Sequence, residues 1–147
     1  DMVLWEGSCI VHEAFSIEKL IDLYKKHPKA TIIAHPESET HILKVAHYIG
    51  STSGMLNHVK TSSNDTFIVA TEAGILHQMQ IDNPTKTLLP APSKEDNTCA
   101  CSECAFMKIN TLEKLYQCLK DESPEVHLDK EIIKKALLPI QRMLALN

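Results

Sequence analysis

Apolar positions along this chain follow two alternating patterns. Residues 2–5, 31–34, 48–50, 66–70 and 87–89 are short, continuous apolar runs bounded by polar or turn-forming residues, the pattern of short strands covered on both faces. Between them apolar residues recur at helical spacing. Ile17, Leu20, Ile21 and Tyr24 share one face behind Ser16, which can cap the helix, and His27-Pro28 ends it because the residue before proline is pushed out of helical geometry. Ile42, Val45 and Ala46 mark a second helix. Residues 52–59 and 72–79 predict two shorter ones, in which Gly54 and Gly74 each cost about 1 kcal/mol relative to alanine. Past residue 104 the pattern is helical only. Leu112, Leu115, Tyr116 and Leu119 form a stripe that takes Cys118 into its packing, and Asp129 can cap a last helix carrying Ile132, Ile133, Ala136, Leu137, Ile140 and Leu144, with a kink expected at Pro139.

Strands separated by single helices predict a parallel sheet with right-handed crossovers, so the fold class is α/β: a three-layer αβα unit with a short parallel sheet, followed by C-terminal helices. The expected division is 1–104 for the αβα unit and 105–147 for the helical segment. In such a sheet every strand end that leads into a helix lies on one edge, where ligands bind. Cys9 and His12 follow the first run, His35 and Glu37 the second, Ser51 and Thr52 the third, Thr71 and Glu72 the fourth, and a cysteine cluster the fifth. Residues distant in sequence are thereby predicted to meet on one rim. Pro84, Pro90, Pro92 and the polar residues 93–98 form an irregular loop leading to the cysteines.

Composition narrows the partners. At 147 residues, 44% of them hydrophobic and 23% charged, the chain can bury a core as one domain, or one domain plus a piece. The net charge of −4 comes from mixed signs with no basic stripe, which argues against nucleic acid. No apolar run approaches the roughly 20 residues of a membrane span, and no leader pattern is apparent, so the expectation is a cytoplasmic protein without a membrane partner. The chain enters an apolar run directly from Asp1-Met2, which suggests part of something longer.

The cysteine count is five, with Cys99, Cys101 and Cys104 crowded together, a pattern that suits thiolate ligands in a reducing compartment better than a disulfide framework. Three thiolates so close repel unless a soft cation holds them, and structural zinc competes with other metals for such a set. A lone cysteine such as Cys9 is more often a small buried hydrophobe, yet Gly7 lets the backbone turn and present its thiol at the sheet edge. His35-Pro36-Glu37 sets an imidazole and a carboxylate on one turn, suited to proton transfer or substrate anchoring; a surface turn with a helix-start glutamate accounts for it equally. Gly50-Ser51-Thr52-Ser53-Gly54 offers hydroxyls and free amides for a carboxylate or phosphate, and plain N-capping explains the same residues. His27, His41, His47, His58, His77 and His127 have no such company and read as solvated or partly packed.

Taken together, Trp5-Glu6-Gly7-x-Cys9-Ile10-Val11-His12, Ala34-His35-Pro36-Glu37, Gly50-Ser51-Thr52-Ser53-Gly54-Met55, Ala70-Thr71-Glu72-x-Gly74-Ile75 and Cys104-x-x-Met107-x-x-Asn110 resemble the A-type quinolinate synthases of bacterial NAD biosynthesis, in the C-terminal portion of that family. The resemblance implies one of three similar αβα units around a central cavity, with Cys9 and Cys104 as two of three cysteine ligands to a 4Fe-4S cluster and the third ligand absent from this chain. It implies condensation of iminoaspartate with dihydroxyacetone phosphate to quinolinate, the cluster acting as a Lewis acid. It also implies an L-aspartate oxidase or dehydrogenase as the supplier of iminoaspartate. By the same resemblance His35 and Glu37 contact substrate and assist proton transfers, together with His12 near the cluster, while Pro36, Ser51 and Thr52 take part in substrate binding. With a ligand missing, this stretch alone is expected to be inactive. Two departures stand out: Ser38 occupies the place of a cysteine in the frequent His-Pro-Glu-Cys motif, and His47 stands where an acidic residue is common. Competing with all of this is a small-anion-binding module, with structural zinc at Cys99, Cys101 and Cys104 and no catalysis.

Overall fold

The computed structural model describes residues 3, 7–95 and 102–146. It divides into two compact units, residues 1–108 and 109–147.

In the first unit, α1 (Ile10–Glu13) and α2 (Ile17–Lys26) precede β1 (Thr31–Ala34), then α3 (Thr40–Leu43), β2 (Tyr48–Ile49), α4 (Thr52–Thr61), β3 (Thr66–Ala70), α5 (Gly74–Asp82) and β4 (Thr87–Pro90). The strands form one parallel sheet in the order β2-β1-β3-β4. All residues of β1 and four of the five in β3 are buried, which is why these runs are apolar without alternation. Successive side chains still point to opposite faces, and the core divides accordingly. Ile32, Ala34, Ile68 and Ala70 pack with Val11, Phe15, Leu20 and Ile42 on one side. On the other, Ile33, Phe67 and Val69 pack with Met55, Val59 and Met79. This is the αβα layering expected, and burying each of the larger side chains contributes about 1.5–3 kcal/mol. The strand expected over residues 2–5 lies outside the described residues, save Val3, which is exposed and in no strand.

Caps fix the helix starts. Ser16 Oγ accepts from Lys19 N–H at 3.3 Å and Ser51 Oγ from Gly54 N–H at 3.2 Å, as the sequence suggests. The second expected helix is cut short, because α3 ends at Leu43 and leaves Val45 and Ala46 beyond it. The reason lies at His47, whose backbone N–H donates to Ile32 O at 2.8 Å while its Nδ1 accepts from Ile32 N–H at 2.9 Å, drawing the chain onto β1. The loop after β4 is tied back to the α1–α2 turn by the Phe15–Ser93 bridge and by Ser16 N–H to Pro92 O at 3.0 Å.

His58, read from sequence as solvated or partly packed, stacks on Tyr48 with ring centroids 4.1 Å apart. Burial, and secondarily the charge of Lys86, lower its pKa from 6.5. The unfolded chain therefore binds a proton here more readily than the folded one, so stability is complete above pH 6.5 and falls as pH drops through the lowered value. Thermal unfolding between pH 8 and pH 5 should show a midpoint that declines on the acid side, and His58→Gln should flatten that slope. An unchanged slope in the variant would contradict the assignment.

A 3-10 turn (Met107–Ile109) straddles the boundary, and the second unit carries α6 (Leu112–Asp121) and α7 (Lys130–Leu144). Thr111 Oγ1 caps α6 by accepting from Lys114 N–H at 3.2 Å, and Asp129 Oδ1 caps α7 by accepting from Glu131 and Ile132 N–H at 2.9 and 3.1 Å. Pro139 lies within α7, which spans it as one helical segment. Among the described residues neither helix contains a buried one; Leu112, Leu119 and Met143 are among those exposed, and Cys118, expected in a core, is exposed with the stripe around it. No helix among the described residues is long and apolar enough to cross a membrane.

Candidate functional site

The strand order puts a switch point between β1 and β3. The chain leaves β1 for β2 on one side and then returns to build β3 on the other, so the loops after β1 and β3 diverge and leave a crevice at their carboxyl ends. Ala34 and Ala70 are paired in register there, and His35 N–H donates to Ala70 O at 3.1 Å. His35 and Glu37 therefore face Thr71 and Glu72 across one crevice.

The structure brings His12 into the same place. Its ring is buried, with 7% of the side chain exposed, and stacks on His35 at 4.5 Å between centroids with the planes 6° apart. Its Nε2 lies 3.1 Å from Thr71 Oγ1, which fixes the ring, and Glu37 Oε2 lies 3.3 Å from its Nδ1. That second approach is not aligned as a hydrogen bond, leaving Nδ1 buried without one. Burial, and after it the neighbouring His35, lower the pKa of His12 from 6.5, with Glu37 opposing them. A neutral imidazole results. His35 Nδ1 accepts from Glu37 N–H at 3.3 Å, so the neutral ring carries its proton on Nε2. Pro36 at the tip of this turn is exposed.

Cys9 is half-buried at the start of α1, and it shares a cleft of about 270 Å³ with Gly7, Ser8 and Glu37. Ligand atoms of Cys9, His12 and Glu37 lie within 4.8 Å of one another, a donor set that could hold a cation. Cys104 is also half-buried and free, and both thiols pack against the same core cluster. Residues beside them, Ile10 and Val11 next to Cys9 and Glu103 and Ala105 next to Cys104, line one cavity of about 430 Å³. Neither thiol lines that cavity, but both are free and pack on one core cluster, and such soft donors with a further ligand fit a cysteine-held cluster. Cys99 and Cys101 lie outside the described residues.

Ser51 and Thr52 stand on the same sheet edge, since Gly50 N–H donates to Ala34 O at 3.1 Å, but both are exposed. Among the described residues neither bonds to the imidazoles or to Glu37, and the Ser51 hydroxyl is taken by its own helix. Sequence reasoning placed Thr71 and Glu72 on the rim without giving them a task. Here Thr71 holds His12, and Glu72 Oε1 accepts from the backbone N–H of Cys104 at 3.3 Å. The available signal was their position one and two residues past a buried strand.

The family model described as Quinolinate synthetase A protein matches residues 1–145. Among curated proteins, the quinolinate synthase of Microcystis aeruginosa is 56% identical over 147 residues, all of this chain and 46% of that protein. The quinolinate synthase of Thermosynechococcus vestitus is 55% identical over 146 residues, 99% of this chain and 46% of the relative. That of Synechococcus sp. is 55% identical over 147 residues, again all of this chain and 46% of the relative. The chain thus spans a little under half the length of these relatives. With strand-end motifs converging on one crevice and a family match over nearly its whole length, this chain belongs to the quinolinate synthase family.

Proposed function

We propose that the protein containing this chain condenses iminoaspartate with dihydroxyacetone phosphate to give quinolinate for NAD biosynthesis in the cytoplasm, with iminoaspartate supplied by an L-aspartate oxidase or dehydrogenase. Supporting this is the convergence of His12, His35, Glu37 and Cys9 at the sheet's switch point in a member of this family. A 4Fe-4S cluster held by Cys9, Cys104 and a ligand from the remaining length would supply Lewis acidity at an iron not capped by cysteine.

The side chains divide the remaining work. Losing phosphate and water while a ring closes requires protons taken from carbon and delivered to leaving oxygens. His35, with Nδ1 engaged by its own turn, offers the Nε2 proton as general acid, and the exposed Glu37 carboxylate accepts protons as general base. His12 stays neutral in its buried seat and supports the face of His35, so that ring orientation is set before substrate arrives. Ser51 fixes the turn, while Thr52 and the first-turn amides of α4 receive a substrate carboxylate or phosphate. The αβα unit is one of three similar units around the cavity, and the exposed apolar stripe of α6 and α7 packs on the remaining length of the protein.

Anaerobic purification of the full-length protein tests the metal assignment. The expected product is brown, with charge-transfer absorbance, iron and labile sulfide. A colourless protein loaded with zinc would replace this reading with that of an anion-binding module.

A further inference from the structure

We propose that Glu72 is a positioning residue for Cys104, clamping the backbone of the cysteine-bearing loop to the start of α5; the inference rests on the reading of Cys104 as a cluster ligand. One carboxylate spans two donors. Oε1 accepts from Cys104 N–H at 3.3 Å, and Oε2 accepts from Gly74 N–H at 2.7 Å. Gly74 leaves room for this seat, since a Cβ built there would stand 2.7 Å from Oε2.

The loop needs holding. Ser102, two residues before Cys104, has φ 69°, a left-handed conformation that is costly for a non-glycine residue and persists only where neighbours impose it. Its carbonyl accepts from Ala73 N–H at 2.8 Å, and its buried hydroxyl donates to Ala91 O at 2.7 Å. Glu72 adds a third tie, and it is the one that acts on the ligand residue itself. Partners behind a metal ligand set its orientation, and their loss typically costs about 10- to 100-fold in metal affinity. The clamp also occupies the Cys104 N–H and keeps a negative charge nearby. Releasing that N–H toward the cluster sulfurs and removing the charge both favour the reduced state.

The test compares wild type, Glu72→Ala, Glu72→Gln and Gly74→Ala in the full-length protein after anaerobic reconstitution. Glutamine has one acceptor oxygen for two donors, and alanine at position 74 pushes the carboxylate out of its seat without removing it. Glu72→Ala should assemble a cluster but lose iron to a chelator about 10- to 100-fold faster, with a more positive reduction potential and a wild-type melting temperature. Glu72→Gln and Gly74→Ala should fall between, and they decide the matter if Glu72→Ala fails to fold. A wild type that holds iron and sulfide, beside variants matching its chelation rate and potential, overturns the role of Glu72 alone. A wild type without iron and sulfide overturns the cluster reading and this inference with it.

Discussion

Cys104→Ala and Cys9→Ala, each made in the full-length protein and reconstituted anaerobically, are expected to lose nearly all cluster iron and labile sulfide. Replacing a partner behind a ligand already costs about 10- to 100-fold in affinity, and deleting a thiolate ligand removes a metal–sulfur bond outright. With two thiolates left, another iron faces solvent and oxygen. The fold should barely register the change. Both thiols are half-buried at the edge of the core, where loss of one sulfur costs about 1 kcal/mol. Cys118→Ala is the internal control: its thiol is exposed on α6, and the variant should keep full iron. Cys99→Ala and Cys101→Ala should be milder than Cys104→Ala. Full cluster content in Cys104→Ala would refute the ligand assignment.

His35→Ala and Glu37→Ala should lower quinolinate turnover by about 10²- to 10⁴-fold, the usual worth of general acid or base assistance, while cluster absorbance and melting temperature hold. The separation of chemistry from folding follows from placement, since neither residue belongs to either core cluster. Glu37 has 61% of its side chain exposed, and His35, at 19%, lies over His12 at the mouth of the crevice rather than within the core. His12 is different. Its ring is buried and holds Thr71, so His12→Ala leaves a cavity and an unpaired hydroxyl and should lower the melting temperature as well. Near-normal turnover in both His35→Ala and Glu37→Ala, or a large loss of stability in either, would contradict their roles.

The sheet was legible because its central strands are buried on both faces. Residues 31–34 and 66–70 carry no polar alternation, and the expected boundaries agree with those observed. Parallel pairing then brought His35, Glu37, Thr71 and Glu72 to one edge with no side-chain information. What escaped were interactions that local pattern does not encode. Val45 and Ala46 continue a helical period, yet His47 makes two hydrogen bonds with Ile32 that end the helix, and such a contact spans fifteen residues. His58 gave no sign of its stacking on Tyr48. Cys118 read as core because a helical apolar stripe looks the same whether or not something covers it. Within the site, the stacking of His12 on His35 depends on how α1 is laid over the sheet, a tertiary fact. The double acceptance by Glu72 depends on where the loop returns near Cys104, which its place after β3 does not reveal.

Product formation tests the central claim most directly. Full-length protein bearing this sequence, purified and assayed without oxygen, is supplied with dihydroxyacetone phosphate and iminoaspartate generated in place, and quinolinate is quantified by mass. The expected result is quinolinate that appears only when both substrates are present, in proportion to cluster content across preparations. A protein that carries its full complement of iron and sulfide yet forms no quinolinate from this pair would contradict it.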